Sequence, residues 1–474
     1  MYRLKKVSEI APVHASDIEK SRIGIGFEKL DRNVFDPKRA YDPVAAIGVK
    51  WVRIQSGWQR TEKQKGVYDF AWLDEIVDNL IARGLKPWMC LCYGNELYDE
   101  HAAEVYGAVG CPPVHNEEQK TAWSNYVSAT VAHFKGRVHD YEIWNEPDGV
   151  WCWKHGVNAT ELGAFNIATA KAVKKADPEA KVIGGAICME PVGFINEAMK
   201  TGMGDWVDAI SFHAYVVDET LMLSRIAALR AVLDQYNPNI EIIQGEGGSQ
   251  SEYGLYGALK MRATTPKTQC KIMARHLVTD LLMGCKFTNY FTALDMIEAL
   301  NGKKREKNSY LDYGHFGVMR ADFDEDGNSV GTYAPKPSYY VLQNIASMFS
   351  GDVQNANLPA VFLPQMYEPM FRMDERAFDL LYGSFEKDGC YAFAYWKPCE
   401  VLTTDFQATV TLQIVCDCDT VYLADLIDGS IYELPEVMME KDAFGCIQFN
   451  HLPVKDTPML LLFGKDGKTF VNMK

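Results

Sequence analysis

Between residues 22 and 292 the chain alternates two patterns: short, nearly continuous apolar runs, and stretches with helical spacing. The runs are 22–27, 49–54, 86–92, 139–145, 181–186, 207–213, 240–245 and 287–292. Runs without regular polar alternation suit parallel strands covered on both faces. Helical spacing fills most of the intervals. In 71–83 it is carried by Trp72, Ile76, Val77 and Leu80, and it returns in 117–135, 159–176, 219–236, 267–283 and 336–349. Stop signals follow several of these stretches: Gly84, Asp177-Pro178, Asn237-Pro238 and Gly284. Parallel neighbours need a crossover, and eight strand–helix units can close on themselves. The expected fold is therefore α/β, a (β/α)8 TIM barrel over residues 21–352. A doubly wound open sheet is the alternative. It usually brings a glycine-rich phosphate loop, and no GxGxxG follows the first run.

After residue 352 the pattern changes. Short alternating runs at 378–384, 390–396, 409–416, 420–424, 430–433, 446–449 and 458–463 are punctuated by turn pairs such as Asp428-Gly429 and Asp466-Gly467. Residues 353–474 are expected to form an accessory β-sandwich. The N-terminal segment 1–20 has no barrel role and is expected to pair with that sandwich. The net charge of −15 argues against a nucleic-acid partner. No apolar run reaches the ~18 residues that suggest a membrane-spanning helix. The 12 cysteines include no CxxC, and residues such as Cys90, Cys92, Cys188 and Cys285 sit in apolar surroundings, as buried thiols do. The N-terminus lacks an apolar signal-like region. Together these features lead to an expected cytoplasmic location.

A barrel places its active site at the C-terminal ends of its strands. Reading polar residues off those ends gives Arg53, Asn145, Glu146, His213, Tyr215 and Glu246. The fourth run ends in Tyr141-Glu-Ile-Trp144-Asn145-Glu146-Pro147. A carboxyl group at the tip of a buried strand, beneath aromatic rings, is poorly solvated. Poor solvation raises its pKa toward the range of a general acid. Glu246 sits in Gln244-Gly245-Glu246-Gly247-Gly248, where the glycines permit close approach of a substrate. Arg53 would keep Glu246 ionised, or form a strand-end ion pair. Tyr215 would donate to Glu246, and His213 would line the wall or touch substrate. Two carboxyl groups facing each other across a pocket suit acid/base and nucleophilic work at an acetal. About 5–5.5 Å between them would mean retention of anomeric configuration and about 6.5–9.5 Å inversion.

The segment 141–147 and the strand-7 glutamate resemble clan A glycoside hydrolases, which are retaining enzymes on (β/α)8 barrels. The loop from Asn145 to Trp153, the helix and strand across 169–186, and Asp208-Ala-Ile-Ser-Phe-His213-Ala-Tyr215 are most similar to family 39, the β-xylosidase and α-L-iduronidase family. The resemblance implies Glu146 as acid/base, Glu246 as nucleophile, Asn145 on the sugar 2-hydroxyl, and no cofactor or metal. Departures from the family pattern are Gly247-Gly248 after the nucleophile, Phe291 where strand 8 usually offers a tryptophan, and no histidine after strand 3. All fall where the nonreducing sugar would sit.

Trp58, Trp88, Trp151 and Trp153 are candidate sugar platforms or core rings, and Trp88, inside a strand, suits the core best of the four. Long segments 93–116 and 293–335 would wall a pocket and favour release of terminal sugars from an oligosaccharide or glycoside. They would equally suit contacts in a homo-oligomer. The rival readings are a catalytically silent carbohydrate-binding barrel, an endo-acting glycosidase, and a metal-dependent barrel hydrolase. The last needs several metal-binding residues at strand ends, where His213 is the one histidine.

Overall fold

The computed structural model describes residues 4–188, 192–255, 257–363 and 379–474. Residues 1–3 of the N-terminal segment and residue 378 of the run 378–384 lie outside them.

Eight parallel strands close into a barrel: β1 (Ile23–Gly26), β2 (Trp51–Gln55), β3 (Lys86–Leu91), β4 (Asp140–Ile143), β5 (Lys181–Ile187), β6 (Ala209–His213), β7 (Glu241–Gly247) and β8 (Thr288–Tyr290). Each falls within two residues of an apolar run in the sequence. The fold is the expected (β/α)8 barrel. Its interior is packed. Trp51, Trp88, Ile183, Ala209, Ile243 and Phe287 fill one cluster inside it. The Trp51 ring stacks on Phe287 at 4.3 Å, and Trp88 meets Phe287 edge-on at 5.1 Å.

Helices Ala71–Ala82, Glu117–Phe134, Ala159–Ala176, Thr220–Leu233, Pro266–Leu282 and Pro337–Met348 stand where the spacing places them. Two further crossover helices, Tyr41–Ile47 and Val192–Met199, are too short to register as a periodic pattern. Asn116, Asn158 and Thr265 cap three of the long helices, each accepting a backbone N–H of the first turn. Gly84, with φ +79, ends the helix after β2, and a Cβ there would lie 2.5 Å from Ser16 Cα.

The C-terminal region contributes two antiparallel sheets. One has seven strands, running in space from Lys5–Glu9 at one edge, through Ser430–Glu433, Thr420–Asp425, Met459–Gly464, Cys390–Trp396 and Leu381–Lys387, to Gln354–Ala356. The other has four: Ala360–Leu363, Gln407–Val415, Cys446–Lys455 and Met439–Lys441. Phe393, Tyr395, Leu461 and Phe463 of the first pack with Leu412, Ile414, Phe449 and Leu452 of the second. Buried polar contacts fasten this sandwich to the barrel. Glu219 accepts from Arg275 and from the Trp396 indole at 2.8 Å, and Lys271 meets Asp456 at 2.6 Å. No helix among the described residues is long and apolar enough to cross a membrane.

Candidate active site

The exits of all eight strands surround one cavity of about 630 Å³, from Glu28 after β1 to Phe291 after β8. Beyond β4 the backbone turns through left-handed conformations at Trp144 (φ 67) and Glu146 (φ 47). A non-glycine residue there costs roughly 1–2 kcal/mol. Packing offsets that cost. The buried Trp144 ring meets Tyr93, Trp123, Trp153 and Phe165 edge-on at 5.7–5.9 Å, and its indole donates to the Cys152 carbonyl at 2.8 Å. Glu146 N–H donates to the Ala186 carbonyl at 2.9 Å. The anchored turn sets Asn145 and Glu146 in the cavity wall.

Glu246 faces them from β7. It is the cross-strand neighbour of His213, past a register shift at Phe212/His213, and its carbonyl accepts from Ala214 N–H at 2.8 Å. Both carboxylate oxygens are held: Arg53 Nη1 donates to Oε2 at 2.7 Å and the Tyr215 hydroxyl to Oε1 at 2.5 Å.

Arg53 organises the floor. It is fully buried, and its remaining donors reach Glu142 Oε2 at 2.9 and 2.5 Å and Asn145 Oδ1 at 2.9 Å. Its guanidinium lies 5.6 Å from the centre of the Trp88 ring. Burial opposes its charge, and the carboxylates of Glu142, Glu246 and Glu28 outweigh burial. Glu142 sits beneath Glu246 because Gly245 has no side chain; a Cβ there would lie 2.1 Å from Ser211 Oγ and 3.1 Å from Glu142 Oε1. Burial works against the Glu142 carboxylate, but Arg53 and His213 hold it at about 2.

Glu146 is treated differently. Its Oε1 lies 3.1 Å from His213 Nδ1, and the Trp151 indole donates to its Oε2 at 2.6 Å. Burial raises its pKa above the usual carboxylate range, and the charge of Glu246 adds to the rise; His213 and Trp151 moderate it. His213, wholly buried, keeps its proton. Burial opposes the imidazolium, but the carboxylates of Glu246, Glu142 and Glu146 raise it to about 10. Its Nε2 lies 4.0 Å from Glu142 Oε1, an ion pair beyond hydrogen-bond reach.

The chain thus brings Arg53, Asn145, Glu146, His213, Tyr215 and Glu246 together, as strand-end geometry requires. Ligand atoms of Glu146, His213 and Glu246 all lie within 4.8 Å of one another. That spacing would also suit a cation. The charges suit one less, since Arg53 occupies Glu246 Oε2 and His213 is itself cationic.

The aromatic expectations divide. Trp151 lines the cavity. Trp153 does not: it is fully buried, packs on Trp144 and Phe165, and donates to Glu161 Oε2 at 2.9 Å. Trp58 is also core, stacked on Tyr98 and Tyr126, and Trp88 is core as expected. Glu142 and Glu28 are additions. A charged residue at 142 inside an apolar strand, opposite another at 53, signals a buried pair. The strand-end rule, applied to β1, points to Glu28.

Comparison with known proteins agrees with this geometry. The family described as glycosyl hydrolases family 39 matches residues 40–245, a span that holds Arg53, Asn145, Glu146, His213 and Tyr215 and stops one residue before Glu246. A β-xylosidase of Geobacillus stearothermophilus is 30% identical over 165 residues, which is 32% of this chain and 32% of that enzyme. The match therefore spans about a third of that relative's length. Among solved structures, a family 39 glycoside hydrolase from Bacteroides cellulosilyticus WH2 superposes with a TM-score of 0.60 at 17% identity, over 93% of this chain and 80% of that one. A monomeric β-xylosidase from Caulobacter crescentus CB15 gives 0.58 at 15% identity, over 97% and 98%. At such identities these two speak for the fold. The partial family match and the curated relative make this chain similar to the glycoside hydrolases of family 39, and the two solved structures share its fold.

Proposed function

We propose that the protein is a retaining glycoside hydrolase that releases terminal sugars from an oligosaccharide or glycoside, with Glu246 as nucleophile and Glu146 as acid/base. The observation that carries this is the unequal treatment of two carboxyl groups with atoms within 4.8 Å of each other. Arg53 and Tyr215 hold Glu246 as a hydrogen-bond acceptor, while burial favours a proton on Glu146. That nearest-atom spacing is nearer the roughly 5–5.5 Å of retaining pairs than the roughly 6.5–9.5 Å of inverting pairs, which supports retention.

In the first step Glu146 gives its proton to the leaving oxygen as that oxygen's bond to the anomeric carbon breaks. A Glu246 oxygen forms the new bond to that carbon. Esterification removes the charge of Glu246, and with it one of the causes that raise Glu146. Glu146, now ionised, takes a proton from water as the water attacks the anomeric carbon and frees Glu246. Asn145, oriented by Arg53 at 2.9 Å, is placed to meet the 2-hydroxyl.

Closure of the cavity supports exo action. The segment after β8 reaches over to the segments after β3 and β4. Tyr310 stacks on Tyr106 at 4.1 Å, Val105 pairs with Lys303, and Lys154 Nζ donates to the Leu300 carbonyl at 2.8 Å. A cleft blocked there takes a chain end more readily than its middle. Twelve free cysteines fit a reducing, cytoplasmic setting.

The test is a panel of aryl glycosides led by the xyloside, because the curated relative is named a β-xylosidase. The first-formed anomer is followed by NMR, alongside Glu146→Gln and Glu246→Gln. Retained configuration and loss of turnover in Glu246→Gln are expected. An inverted first product, or full activity in both variants, defeats the reading.

A further inference from the structure

Glu28 is a third carboxyl group at the cavity, and the double displacement gives it no task. It lies two residues beyond β1, is 1% exposed, and forms part of the cavity wall. Its side chain folds back over Gly26, where a Cβ would stand 2.2 Å from Oε2 and 2.6 Å from Oε1. The missing side chain at residue 26 is what makes room for the carboxyl group.

Its partners are distant. Thr292 Oγ1 donates to Oε2 at 3.3 Å. Arg53 Nη1 is 3.5 Å from Oε1 and makes its shorter contact, 2.7 Å, with Glu246. The neighbouring Lys29 ammonium is engaged elsewhere, with the Ile297 carbonyl at 2.6 Å and Glu298 at 3.3 Å. A carboxylate offers about four lone-pair sites. Its own backbone N–H adds a local bond. Two long side-chain contacts and that bond still leave a buried carboxyl group with lone pairs to spare, and buried polar groups are seldom left so.

Its place in the barrel indicates what would complete it. Thr292 follows β8, Arg53 belongs to β2, and Glu246 ends β7, so Glu28 after β1 stands on the nucleophile's side. Glu146, with Trp151 and His213, comes from β4 and β6. The nucleophile touches the anomeric carbon and the acid touches the leaving oxygen. A group beyond the nucleophile and away from the acid therefore faces the ring hydroxyls of the sugar being transferred.

We propose that Glu28 is a specificity-determining residue whose carboxyl group binds the 3- or 4-hydroxyl of the terminal sugar. The inference rests on the glycosidase reading above.

The experiment compares kcat/KM for the best aryl glycoside of the panel with its 3-deoxy and 4-deoxy analogues. The enzymes are wild type, Glu28→Gln, Glu28→Ala and Gly26→Ala. Leaving a buried polar group without its hydrogen-bond partner corresponds to about 10- to 100-fold. Wild type should lose that factor on one analogue. Glu28→Ala should lose it on the parent substrate and then be nearly indifferent to that deoxygenation. Gly26→Ala, which displaces the carboxyl group without removing it, should behave likewise. The near-isosteric Glu28→Gln keeps the comparison decisive if the alanine variant folds poorly. Variants that discriminate parent from analogues as strongly as wild type overturn the role of Glu28 while leaving the glycosidase reading intact. A wild type that cleaves no glycoside overturns both.

Discussion

The Trp151 indole N–H donates to Glu146 Oε2 at 2.6 Å, so a ring that the sequence offers as a sugar platform holds the residue proposed as acid/base. An indole only donates, and it therefore stabilises the ionised form of Glu146. Its removal raises the Glu146 pKa further. The proton-donating form then persists to higher pH, and the alkaline limb of the kcat/KM profile moves up. For Trp151→Phe the expected shift is about one pH unit, measured with an aryl glycoside whose leaving group needs protonation. An unmoved or lowered limb would show that the bond does not tune the acid.

Arg53 donates hydrogen bonds to both Glu142 and Glu246, and it also reaches Glu28. Deleting one partner of a buried ion pair typically costs about 3–5 kcal/mol, because the other charge stays behind unpaired. Arg53→Met should lose stability of that order in urea titrations and lose turnover as well, since Glu246 and Asn145 are released together. Wild-type stability in this variant would mean that the carboxyl groups take up protons at no cost, contrary to the low pKa of Glu142.

The barrel was legible because strands buried on both faces leave uninterrupted apolar runs, and the strand-end rule then located six polar groups that do converge. What escaped depends on direction. Trp151 and Trp153 are two residues apart in one irregular loop, and no periodicity assigns them a face. One turns to Glu146 and the other into the cluster around Trp144. Glu142 looked like part of an apolar strand, and only the guanidinium of Arg53 across the barrel gives it meaning. The bridge from Lys154 to the Leu300 carbonyl joins residues 146 apart, and nothing local in either segment announces it.

His213 links the site to the stability of the fold. Its pKa of about 10 stands above the ordinary 6.5, so the folded state binds the proton more tightly than the unfolded chain does. The resulting stabilisation is complete below about pH 6.5, where both states are protonated, and it is lost as pH rises through 10. Glu142 acts at the other end. Its contribution is present above the ordinary carboxylate value of 4.5 and is lost as pH falls through about 2, outside the His213 window. In His213→Gln the neutral amide keeps part of the bonding to Glu146 and none of the charge. The melting-temperature gap between wild type and variant should be widest near pH 6 and narrow steadily toward pH 10. A gap constant across that range would mean that His213 is neutral in the folded protein. Glu146 would then face an uncharged imidazole, and its proton would be held more tightly still.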